Sequence, residues 1–152
     1  MLQRIQTVYF LAAFVLCIVC LCMPVAHFVS GDGMEQVDMY NLWLASEEGH
    51  LFSFCPVMMG ILVIACTVIF FDIWLYKQRA VQMRLASFSM ILLVAWYVSY
   101  GVISYMLCQD MQATWRPHWT AALPAVGFIL LYLAFRGILK DEMLVRSLDR
   151  LR

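Results

Sequence analysis

The chain has 152 residues, 64% of them hydrophobic and only 13% charged, with a formal net charge of zero. So little polar sequence leaves no room for a second, soluble unit, and a chain with no excess of basic residues is not built to bind nucleic acid. What remains is one integral membrane domain over residues 1–152.

Four apolar stretches run over Gln6–Ala26, Leu51–Leu75, Leu85–Leu107 and Thr120–Leu139. Each is near the ~20 residues a helix needs to cross the hydrocarbon core. No water reaches backbone groups there, so runs of this length predict helices. The expected fold class is all-α: a four-helix membrane bundle with a C-terminal amphipathic helix over the tail 140–152.

Span one follows a charged start, Met1–Arg4, that resembles the opening of a signal peptide. Its apolar run exceeds the usual ~7–15 residues, and Pro24-Val25-Ala26 makes a poor cleavage site, so an uncleaved span is expected. In the next loop, Gly31-Asp32-Gly33 signals a turn. Val37, Tyr40 and Leu44 then recur at helical spacing beside Trp43, predicting a short segment lying flat at the membrane interface. Pro56 falls in the first turn of span two, where a missing N–H does least harm. The short basic connection Tyr76–Arg84 makes spans two and three antiparallel neighbours. Span three is the most polar, with Ser89, Tyr97, Ser99, Tyr100, Ser104 and Tyr105. A loop rich in aromatic residues, Cys108–Trp119, leads to span four, where Ala121 and Ala125 form a small-xxx-small pair that permits close helix approach. In the tail, Leu144, Leu148 and Leu151 fall on one helical face. Glu142, Arg146, Asp149 and Arg150 lie opposite, with Glu142 and Arg146 in the favourable i,i+4 order.

Charge gives the bundle a direction. Arg4, the loop residues Lys77, Arg79 and Arg84, and then Arg136, Lys140, Arg146, Arg150 and Arg152 all fall on one side; of the basic residues only Arg116 falls on the other. The positive-inside rule places the termini and the middle loop in the cytoplasm, giving a bacterial inner-membrane protein with both ends inside.

Candidate chemistry is sparse. Cys17-Ile18-Val19-Cys20 is a CxxC, but it lies near mid-bilayer and lacks the second thiol pair that quinone-coupled thiol oxidases use. The cysteines read as small packing residues. Cys22, Cys55, Cys108, His27, His50 and His118 fall toward the outer side, yet no zinc-type spacing appears, so no metal is expected. Asp72 is the one carboxylate inside an apolar stretch, a functional candidate by default. It lies about one turn from the inner end, and a buried ion pair with Arg136 is the expected arrangement. The Tyr and Ser residues of span three read as interhelical hydrogen-bonding groups rather than as a lipid or quinone groove.

Met1-Leu2-Gln3-Arg4-Ile5-Gln6-Thr7-Val8-Tyr9, the loop residues Arg79, Gln82, Met83, Arg84 and Leu85, and the closing run Arg136–Arg152 with its DE-x-LVRS-x-DRLR string are similar to one family. It comprises small four-span membrane proteins of Bacteroidota and is catalogued as a domain of unknown function. The resemblance spans the whole chain and implies an inner-membrane location; it implies no activity.

The expected function is therefore non-enzymatic and without a cofactor: an accessory or assembly subunit of a larger membrane complex, with a secretion or translocation assembly as one fitting host. Its partners would be the lipid bilayer and other membrane subunits. The basic inner loop would face them, with Leu144, Arg146, Leu148, Asp149, Arg150 and Leu151 as the contact surface. The alternatives are a thiol-redox or quinone-linked membrane enzyme, and a small transporter or lipid-binding protein dependent on Asp72.

Overall fold

The computed structural model describes residues 2–29, 36–46, 49–51, 56–75 and 78–149. Four helices are present: α1 (Leu2–Cys22), α2 (Pro56–Trp74), α3 (Arg79–Met111) and α4 (Leu123–Asp149). All four are long and apolar enough to cross a membrane. At 1.5 Å per residue, α1 and α2 measure about 30 Å, the thickness of the hydrocarbon core. The 33 residues of α3 and the 27 of α4 overshoot it.

Each helix packs on its neighbour in sequence, and α1 closes the ring on α4. The buried positions form a seam stepping by three and four residues. Gln6, Phe10, Ala13, Cys17 and Cys20 face inward on α1, and Met58, Leu62, Ala65, Ile69 and Asp72 on α2. On α3 the seam runs Gln82, Ala86, Ser89, Leu93, Trp96, Tyr100 and Ser104; on α4 it runs Pro124, Gly127, Leu131, Ala134 and Ile138. This is the spacing of antiparallel four-helix bundles. The outward faces are equally apolar. Val8, Phe71, Ile91 and Val98 are each more than half exposed, and only lipid satisfies such a surface over four helices.

Helix approach is set by two glycines of α4. A Cβ on Gly127 would touch Cys17 Sγ at 3.6 Å, and one on Gly137 would meet the Gln6 side chain at 3.2 Å. The expected Ala121–Ala125 seam is absent. Ala121 sits in a single 3-10 turn, Trp119–Ala122, before α4 begins, and Ala125 points outward.

An all-α chain was expected, but one end of the bundle carries a five-stranded antiparallel sheet: β1 (Ala26–Val29), β2 (Gln36–Met39), β3 (Leu44–Ser46), β4 (Gly49–Leu51) and β5 (Thr114–Pro117), in the order β4-β3-β2-β1-β5. The strands β1 to β4 form a meander after α1. β5, from the α3–α4 connection, adds to its edge through His27↔Arg116 and Phe28↔Trp115. The segment predicted to lie flat as a helix is thus two strands. Val37 and Met39 are buried while Gln36 and Asp38 face out, a period of two rather than 3.6. Ala26, Phe28, Val37, Met39 and Leu44 cover the ends of the helices. The start of α1 and the end of α4 lie at the opposite end of the bundle, where Gln6 Nε2 donates to Asp141 Oδ2 at 2.9 Å and joins the two helices.

Candidate functional sites

At the end where α1 starts and α4 ends, the last seam positions of α1, α2 and α3 are polar: Gln6, Asp72 and Gln82. Asp72 has no exposed surface, and neither carboxylate oxygen has a hydrogen-bond partner. The amides nearby are committed elsewhere. Gln82 Nε2 donates to the main-chain oxygen of Asp72 at 3.2 Å, and Gln6 is held by Asp141. The expected Asp72–Arg136 ion pair is not formed. Arg136 lies midway between the seam residues Ala134 and Ile138, which turns it outward, and it is exposed. An unpaired ion in such a place costs several kcal/mol, so Asp72 is the most conspicuous polar group in the bundle.

The other predicted contact residues fall at the same end. Arg84 of the basic loop lies inside α3 rather than in a connection, since that helix begins at Arg79. With Phe88 and Ile91 it lines one side of a groove of about 640 Å³; Phe135, Leu139 and Glu142 of α4 line the other. Leu144 is exposed on the continuation of α4. The backbone of Arg146, Leu148 and Asp149 belongs to α4, so through Asp149 the tail continues the fourth helix, as its helical pattern predicts. Their side chains and that of Arg79 lie outside the description, as do Lys77, Arg150 and Leu151 entirely.

The sheet end holds a connected polar network. Asn41, in the turn between β2 and β3, is 1% exposed. Its Nδ2 donates to the Cys20 carbonyl at 2.6 Å, and its Oδ1 accepts from Trp96 Nε1 at 3.0 Å. One side chain therefore joins the sheet to α1 and α3. Tyr100 stacks on Trp96 with ring planes 2° apart and donates to the Val25 carbonyl, while Tyr97 donates to the Ala121 carbonyl at 2.6 Å. Tyr97 and Tyr100 of span three thus bond to main chain at the sheet end.

Above this network, His27 Nδ1 donates to Asp38 Oδ1 at 2.6 Å. The His118 ring stands edge-on to that of His27, with centroids 4.9 Å apart. His118 also contacts Thr120 Oγ1, whose hydroxyl donates to the Pro24 carbonyl. Thr120 is fully buried, so this histidine has no accessible hydroxyl nucleophile beside it.

The five described cysteines are free thiols. Cys17 and Cys20 have no exposed surface, and Cys66 of α2 is buried as well. Thiol exchange requires a sulfur that another thiol can reach, which these positions deny. Cys55 lies outside the described residues.

Residues 2–151 match the model of a family described as Domain of unknown function (DUF4293). No curated protein matches the chain.

Proposed function

Because the chain belongs to the DUF4293 family, which carries no assigned activity, we propose from its own residues a non-enzymatic accessory or assembly subunit of a larger membrane complex. It would dock through the end where α1 starts and α4 ends. The observation that supports this reading is the groove between α3 and α4, where Arg84 faces Glu142 across an apolar floor of Phe88, Phe135 and Leu139. Opposite charges on the two walls, beside apolar surface, suit a partner helix at the membrane boundary. Positive charge gathered at this end supports a cytoplasmic position for it in a bacterial inner membrane, in keeping with the sequence resemblance to Bacteroidota proteins.

Arg84→Glu with Leu144→Asp reverses one charge of the groove and breaks the apolar surface beyond it. Tagged protein purified in mild detergent should bring a stoichiometric partner, and the double variant should lose at least nine-tenths of it while eluting as a folded species. Undiminished co-purification would refute the docking surface.

Asp72 favours a second reading, a small transporter. A buried, unpartnered carboxylate at a bundle seam is the group such a protein would use to carry a proton or small cation. On this reading Asp72→Asn abolishes function while assembly stays intact, whereas the groove variant does the reverse.

A further inference from the structure

We infer that His27 and His118 form a two-imidazole site for a borderline first-row divalent cation on the sheet end, outside the membrane-spanning seam. The inference is independent of the docking reading and concerns the opposite end of the molecule.

The hydrogen-bond partners bear on which ring nitrogens are free. Asp38 as carboxylate can only accept, so His27 Nδ1 carries the proton in their 2.6 Å contact. Thr120 has one hydroxyl proton, and the Pro24 carbonyl takes it. In the 2.9 Å contact between His118 Nδ1 and Thr120 Oγ1 the histidine is therefore the donor. In the other tautomer the same nitrogen accepts from the Thr120 amide at 3.5 Å, as a helix N-cap does. His27 therefore presents an Nε2 lone pair, and His118 presents one in the tautomer that donates to Thr120 Oγ1. A histidine whose Nδ1–H is held by a carboxylate or another oxygen is the arrangement that fixes tautomer and raises basicity in metal ligands.

The spacing fits. An imidazole bound through Nε2 at about 2.0–2.1 Å puts its centroid roughly 3 Å from the metal, so two at a tetrahedral angle stand about 5 Å apart. The observed separation is 4.9 Å. Both residues are held by the backbone: His27 is paired on both sides, with Asp38 and Arg116, and the His118 amide donates to the Val25 carbonyl at 3.1 Å. Both are partly exposed, leaving an approach for the ion. Asp38 contributes a negative charge and Arg116 a positive one in the same row of the sheet. The site is thus near neutral, and its selectivity comes from nitrogen donors rather than from field. No group of three His, Cys, Asp or Glu able to hold an ion occurs among the described residues. Water or an external ligand completes the coordination. Two imidazoles favour Cu²⁺ over Zn²⁺, and both over Mg²⁺ and Ca²⁺.

The test is titration of CuSO₄ into detergent-solubilised protein carrying a tag without histidine, read by calorimetry and by electron paramagnetic resonance. The expected result is one Cu²⁺ per chain, with hyperfine splitting from two imidazole nitrogens and weaker Zn²⁺ binding at the same site. His27→Gln and His118→Gln should each lower affinity at least tenfold and leave one nitrogen in the spectrum. Asp38→Asn, which keeps both ligands, should cost ~10–100-fold. His50→Asn is the control: His50 pairs with Ala45, three strands from His27 and so about 14 Å away, and its loss should change nothing. A spectrum with one nitrogen or none in the unsubstituted protein overturns the site whether or not the variants fold. So does binding that survives loss of both histidines.

Discussion

Two side chains illustrate opposite ways of burying a polar group. Asn41 uses both ends of its amide, donating to Cys20 and accepting from Trp96. Asn41→Ala would orphan the Trp96 indole N–H and the last-turn carbonyl of α1, at about 1–3 kcal/mol. A fall of several degrees in melting temperature, together with a shift in tryptophan emission, is the expected readout. Asp72 makes no such bonds. Asp72→Val removes an unsatisfied group from the seam with a side chain of similar size and is expected to raise stability by roughly 1–3 kcal/mol. Unchanged or lower stability would mean that the carboxylate has a partner in the membrane. A rise in stability on that substitution would assign Asp72 a use outside folding, and so the Asp72→Asn experiment belongs beside the stability measurement.

At the scale of elements, the helices were legible and the sheet was not. Long apolar runs between charged loops admit one solution in hydrocarbon, and Pro56 marks the start of α2 as its chemistry suggests. Which face of each helix turns inward was hidden, because the spans are apolar all round. Only the polar residues Gln6, Asp72, Gln82, Ser89 and Ser104, at steps of three and four on the seam, carried that signal. The strands failed differently. Val37, Tyr40 and Leu44 satisfy a helical spacing by coincidence, although Gly31-Asp32-Gly33 does fall between two paired strands. β5 owes its existence to an edge offered some 85 residues earlier, which no local pattern reports. The chain reaches that edge by ending α3 at Gln112, which is left-handed at φ 46°. A side chain pays a steric penalty there that glycine avoids. Gln112→Gly should therefore stabilise the fold by about 0.5–1 kcal/mol, visible as a small rise in melting temperature; a fall would place the backbone elsewhere.

On the scale of the whole molecule, the two ends differ in construction. One is capped by a sheet with a histidine pair on its outer face; the other is open, with a polar layer, a groove and a helix that runs on past the bilayer. The contact surface expected from sequence rested on the stripe of the tail. The structure joins that tail to α4 and sets Arg84 and Glu142 across one groove, an adjacency of residues far apart in sequence that only the packing of α3 on α4 creates. The most direct test of the docking account is photo-crosslinking in native membranes, with a benzophenone residue at Leu139 or Leu144 and, for comparison, at the outward-facing Val15 or Val63. The account predicts one discrete protein adduct, the same from both α4 positions, and only lipid from the other two. Lipid adducts from all four positions would contradict it.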